Sequence, residues 1–293
     1  MGFMSGIKAN KALRLQKNGE FKAAEKLYEE AFAEGVNDPR YFLPYALMLI
    51  RDGQYQKARE FLVAHQKAPG MSPGQRVELL VYYATCCLRL GHVDKGINTL
   101  EQQFRKTETG LIYQTLGYMY VEKYDAGKRA DFMAEAAKQA EAEAAKQAEA
   151  AEAAESAGTE GGEAAEEAAG KPEEKKLSPE EAWNAGIEKA EEFIRKSIEY
   201  DEEDSICLDN MGQFLYRVRE DRAAAREWFE KAIAFKEGQI DTLYFLSRYD
   251  LEAGDRKAAL EKLEKASGGR FSPLNYCSRE SIMQEIEKLK GEE

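Results

Sequence analysis

Apolar residues along this chain recur three and four positions apart, the spacing of a helix face rather than of a strand. The clearest stretch is Tyr113 to Tyr120, YQTLGYMY, where Tyr113, Leu116 and Tyr120 share one face and Gly117 lets a second helix approach. Equivalent positions recur at Ala12, Ala46, Ala84, Gly117, Gly212 and Ser247, with spacings of 34, 38, 33, 95 and 35 residues. After most of them comes a turn, then a small–large–small face at i, i+4 and i+7. Ala24, Tyr28 and Ala31 form the first such face; Ala225, Phe229 and Ala232 form the fifth; Ala259, Leu263 and Ala266 form the sixth. The pattern predicts about six helix pairs between residue 5 and residue 267. A last helix follows, with Ile282, Ile286 and Leu289 on its apolar face.

The long spacing of 95 marks an insertion of about 61 residues, relative to a repeat of about 34. From about Lys128 to Lys176 the composition turns to Ala, Glu, Lys and Gln, and residues 134–141 and 142–149 are the same octad, AEAAKQAE. Such a stretch is helical and semi-rigid but has no apolar stripe to pack as core. A helix from 128 to 156 would reach roughly 40 Å. Residues 156–176, mixing Gly, Pro and charge, are expected to be disordered. Ser178-Pro179 then reads as an N-cap followed by Pro at the first helical position, and Ala190, Ile194 and Ser197 restore the small–large–small face. Two arrangements fit. Either the insert splits the fourth pair and 179–200 is its second helix, or 129–147 is that helix and 179–200 is extra. The spacing favours the first. It gives three parts: 1–127, three pairs plus the first helix of the fourth; 128–177, the insert; and 178–293, the remainder.

These phased copies resemble the tetratricopeptide repeat (TPR), whose pattern is W-x2-L-G-x2-Y, then A-x3-F, then P. The resemblance covers about 5–127 and 179–267. No copy has Trp at its first position, and Pro closes only the first copy in the usual place, at Asp38-Pro39. What the resemblance implies is an all-α, right-handed α-solenoid of about six helix pairs with a C-terminal capping helix, interrupted by the Ala/Glu-rich insert. In this family the first helices (A) of the pairs line a concave groove for a peptide or helix. Family groove positions carry over to Lys17, Arg51, Arg89 and Arg217, interrupted by Glu122 and Glu252, and to Tyr82, Thr85, Gln114, Tyr118, Asn210, Gln213, Tyr244 and Arg248. Tyr and Arg are common interface anchors, and a basic wall would suit an acidic ligand. Lys and Arg near a helix C-terminus are also favoured by the macrodipole alone. The carboxylate clamp of chaperone-binding TPR proteins is not matched, because its positions in the first three copies hold Ala9, Leu13, Pro44, Glu78 and Tyr82.

Charge narrows the field. The 293 residues carry a net −12, which argues against nucleic acid as the partner. Residues 131–176 alone hold 13 acidic and 5 basic side chains. The four cysteines form no C-x-x-C pair and read as free thiols of a reducing compartment. Neither a signal peptide nor a membrane span is apparent, so a cytoplasmic location is expected. His65 and His92 lie apart, and no P-loop, nucleophile elbow or zinc signature occurs, so neither catalysis nor a cofactor is expected. His65 is expected to be a helix-surface or packing residue, and Cys87 a packing residue at a core position. The expected function is therefore a non-enzymatic adaptor or scaffold binding a partner protein's segment in the groove. A sensor for a small peptide or metabolite is the alternative, and an RNA-binding helical repeat is less favoured. The oligomeric state is left open.

Overall fold

The computed structural model describes residues 3–156 and 177–291. The stretch expected to be disordered lies almost wholly outside them. Among the described residues there are fourteen α-helices and no strand. The helix pairs are α1 (Phe3–Lys17) with α2 (Phe21–Ala33), α3 (Pro39–Arg51) with α4 (Tyr55–His65), and α5 (Pro73–Arg89) with α6 (Val93–Phe104). Next come α7 (Gly110–Tyr124), the insert helix α8 (Arg129–Ser156) and α9 (Pro179–Tyr200). The chain continues with α10 (Ser205–Arg217) and α11 (Arg222–Phe235), α12 (Ile240–Glu252) and α13 (Arg256–Ser267), and ends on α14 (Arg279–Gly291).

Local chemistry fixes the helix starts. Asp38 caps α3 by accepting from the Arg40 amide, with Pro39 at the first position. Ser72 with Gln75 and Ser178 with Glu181 form capping boxes on α5 and α9. The turns between paired helices need a left-handed residue, and Gly19, Gly53, Gly91 and Gly254 supply it. The fifth pair puts Glu220 there instead, at φ 56, a conformation that costs an L-residue about 1–2 kcal/mol. Pro44 is accommodated within α3, which runs through it.

Packing follows the sequence periodicity closely. Ala24, Tyr28, Ala31, Ala58, Leu62, Ala190, Ile194, Ala225, Phe229, Ala232, Ala259, Leu263 and Ala266 are all completely buried. At Gly212 an added Cβ would stand 2.6 Å from the Phe229 ring, so the small residue is required by close approach. His65 is half-buried among Phe32, Phe42 and Phe61, and its Nδ1 meets the Phe61 carbonyl at 2.8 Å. Cys87 is wholly buried in the core, and burial pushes its thiol above the ordinary value.

Helix α9 packs against α7 on the far side of the insert. The Phe193 ring lies 5.3 Å from Tyr113, 5.5 Å from Tyr120 and 5.2 Å from Phe104. Trp183 meets Tyr124 of α7 and Phe132 at the root of α8. Beyond Phe132 and Met133, the α8 side chains that are described contribute nothing to the core clusters. The first helices of successive pairs touch in the order α1, α3, α5, α7, α10, α12, giving one continuous inner row.

Candidate functional site

The inner row is not open along its length. The connection from α13 to α14, residues 268–278, crosses it as a strap. Gly269 permits the crossing to begin, because a Cβ there would meet Ile240 at 2.7 Å. Ser272, Pro273, Leu274 and Asn275 then form a turn. The Ser272 carbonyl accepts from the Asn275 amide at 3.0 Å, and Asn275 Oδ1 accepts from the Ser272 amide at 2.6 Å. Pro at the second place of such a turn has its preferred φ. Arg89 of α5 donates to the carbonyls of Pro273 (2.6 Å) and Asn275 (3.0 Å). Asp241 of α12 accepts from Asn275 Nδ2 and from the Tyr276 amide, both at 3.0 Å. The Tyr276 ring covers the Arg217 guanidinium, 4.2 Å from its centroid.

Beneath the strap is a buried polar network. Arg217 donates to Glu122 at 2.6 Å, Asp125 at 2.9 Å and Gln213 at 2.9 Å. Burial opposes ionisation of Glu122, yet the Arg217 and Lys128 charges hold its carboxyl below the ordinary value. Gln213 donates to Asp209 at 2.7 Å, and Thr242 donates to Asp209 at 2.6 Å. Burial, reinforced by the negative charge of Asp241, pushes the Asp209 carboxyl up to about 7. Asp241 is raised as well, chiefly by burial.

The structure thus divides the residues that the sequence placed on one wall. Arg217, Asn210, Gln213 and Tyr118 are buried. Asn210 donates to the Gln114 carbonyl, and the Gln114 amide to Asp204, tying α7 to α10. Arg248 pairs with Glu285 of α14 and donates to the Tyr244 hydroxyl, and the buried Thr85 bonds its own helix at the Val81 carbonyl. Tyr82 donates to Glu78. Arg89 is exposed but occupied by the strap.

Lys17 and Arg51 have a different setting. They share a cavity of ≈ 730 Å³ at the N-terminal end of the inner row, lined also by Leu13, Pro44, Met48 and Phe21. Arg270, from the strap, lines it too. Burial and the like charge of Arg270 lower the pKa of Arg51. Among the described residues, no carboxylate lies within ion-pair distance of Lys17, Lys22, Arg51 or Arg270. The cavity's own carboxylates are already engaged, Glu25 with Lys57 at 2.7 Å and Asp52 with Gln54 at 2.7 Å. Sequence reasoning missed Arg270 and the strap. Two signals were present: an inter-helix connection far longer than the turns at 18–20 or 52–54, and the Ser-Pro-x-Asn turn signature.

Comparison with known proteins agrees with this architecture. The sequence profile of the family described as anaphase-promoting complex, cyclosome, subunit 3 matches residues 17–103. A thermophilic TPR protein of Thermus thermophilus superposes with a TM-score of 0.55 at 14% identity, over 86% of this chain and 99% of that one. The chain folds as a tetratricopeptide-repeat solenoid. PilW, a widely conserved type IV pilus biogenesis factor, gives 0.54 at 12% identity, covering 94% of this solenoid and 98% of PilW. The human IFIT1 dimer with m7Gppp-AAAA gives 0.54 at 13% identity, covering 91% of this chain and 49% of that chain. No curated protein matches this TPR chain by sequence. Among its described residues, no helix is long and apolar enough to cross a membrane, and no group of three or more His, Cys, Asp or Glu could hold a metal ion.

Proposed function

We propose that this TPR solenoid is a non-enzymatic adaptor or scaffold that holds a segment of a partner protein against its inner row of helices. TPR-like arrays are interaction modules in general, and their curved stacks offer long concave surfaces. The observation that carries the finer reading is the N-terminal cavity, where an apolar floor of Leu13, Pro44 and Met48 lies beside cations that no carboxylate neutralises. A cytoplasmic setting fits the four free, buried cysteines. The insert helix α8, whose described side chains are largely exposed and contribute none of this cavity's lining, would serve as a spacer or tether.

A photo-crosslinker placed at Met48 tests the reading. Partner peptides captured from a lysate should attach there and be lost when Leu13→Arg fills the floor. Attachment confined to crosslinkers on α8 or on the second helices of the pairs would overturn it. The second reading is a sensor of a small acidic metabolite, favoured by the cavity's ≈ 730 Å³, which is within the range of small-ligand pockets. The m7Gppp-AAAA of the IFIT1 structure is RNA held by a related fold. We place nucleic acid outside the proposal for this chain, because its net charge of −12 opposes association with a phosphate backbone. Salt-sensitive RNA binding would contradict that.

A further inference from the structure

We propose that the N-terminal cavity recognises a short acidic segment of a partner protein, with a carboxylate bridging Arg51 and Arg270 and an adjacent apolar side chain on the Leu13, Pro44 and Met48 floor. This rests on the reading that the solenoid binds a partner segment, and it specifies which part of the inner row does so and what chemistry it takes.

Three observations carry the inference. First, the strap fills the inner row from α5 to α12, so Arg89, Arg217 and Asp241 are occupied by the chain's own carbonyls, amides and aromatic ring. The N-terminal cavity, at ≈ 730 Å³, is reached by the strap only at Arg270 and retains an apolar floor. Second, the strap stops short of neutralising that cavity. It adds Arg270 to the lining that holds Arg51, rather than a carboxylate, setting two like charges against each other. Lys17 and Lys22 line the same cavity, and its own carboxylates, Glu25 and Asp52, are held by Lys57 and Gln54. Towards the C-terminal end of the inner row the arginines are paired instead, Arg217 with Glu122 and Arg248 with Glu285. Unneutralised cations facing one another around a cleft are complementary to an incoming anion, and planar guanidinium groups favour a carboxylate held from both sides. Third, Phe21, 56% exposed, stands at the rim beside the half-buried Leu13 and Pro44, so an apolar side chain has a place to be buried next to the charge. Arg270 comes from the far end of the chain. The site is therefore complete only when the strap is in place, and partner binding and strap closure favour one another.

The test uses the full chain and a synthetic peptide array of random octamers, carrying no assumption about the partner. Wild type should enrich octamers with Asp or Glu next to Leu, Met or Phe. An Arg51→Glu, Arg270→Glu double variant should lose those octamers at least tenfold and shift toward Lys- and Arg-bearing ones. Both residues are exposed and without carboxylate partners, so the variant should melt within a few degrees of wild type. A Leu13→Arg variant separates the two levels of the argument. Octamers that survive charge reversal but are lost in Leu13→Arg would overturn the acidic recognition while keeping binding at the cavity. No enrichment, or enrichment insensitive to all three changes, would overturn both. Enrichment of basic octamers by wild type would overturn the charge assignment outright.

Discussion

Arg51 and Arg217 occupy the same register, each as the last residue of a first helix, yet one ends in an open cavity and the other in the core. Around Arg217 the neighbouring α7 and the turn after it supply Glu122 and Asp125, and Tyr276 closes over the top. Around Arg51 the charged neighbour that shifts its titration is another arginine. The C-terminal half of the inner row is therefore satisfied by the chain itself, whereas the N-terminal half is left with charge that folding does not neutralise. In a solenoid whose repeats share one packing scheme, that contrast separates residues engaged in holding the stack together from residues the chain leaves unengaged.

The largest effect should come from the sealed half. Arg217→Ala strands Glu122 and Asp125 without their cation, and breaking a buried pair in this way costs about 3–5 kcal/mol in chemical denaturation. A loss below about 1 kcal/mol would mean that the network contributes little to the fold.

The buried carboxylates under the strap give the next effect. A carboxyl raised in the folded state keeps its proton at pH values where the unfolded chain, with a pKa of about 3.9, has lost it. Stability should then fall as pH rises between about 4 and 7 and level off above, by an amount on the order of 2–4 kcal/mol for Asp209. Asp209→Asn, which keeps the shape without the charge, should reduce that slope in denaturation curves at pH 5 and pH 8, leaving the part that Asp241 contributes. A slope unchanged in the variant would assign the dependence elsewhere.

A smaller effect concerns the strap. Arg89→Ala removes both bonds to the Pro273 and Asn275 carbonyls, a loss of about 1 kcal/mol each or less. Hydrogen exchange at the Tyr276 and Cys277 amides should quicken roughly tenfold while the α7 amides stay protected. If strap exchange is unchanged, Asp241 and the packed Cys277 hold it alone.

Much of the fold was legible because each helix pair repeats the same local demand. A small residue lets the partner helix approach, and a large one on that partner fills the gap, as Gly212 and Phe229 show directly. The phase can be read even where one position is spoiled, as with His65, since its neighbours Ala58 and Leu62 remain buried. The site was less legible. Lys17 and Arg51 carry no local mark that distinguishes them from Arg89 or Arg217, because what separates them is contact with residues far along the chain. Arg89 is engaged by Pro273, and Arg51 faces Arg270. Repeat register predicts which residues share a row, but not which of them a long connection will cover.

The proposed recognition at the N-terminal cavity requires Arg51 and Arg270 to be an unneutralised pair in the free protein. A double-mutant cycle measures this most directly, using the unfolding free energies of wild type, Arg51→Ala, Arg270→Ala and the double variant at low salt. Each single change should be neutral or stabilising by about a few tenths of a kcal/mol, with a repulsive coupling that shrinks as salt is raised. Single losses above about 1 kcal/mol, or an attractive coupling, would show that both cations are already engaged by the chain, and the open site would not exist.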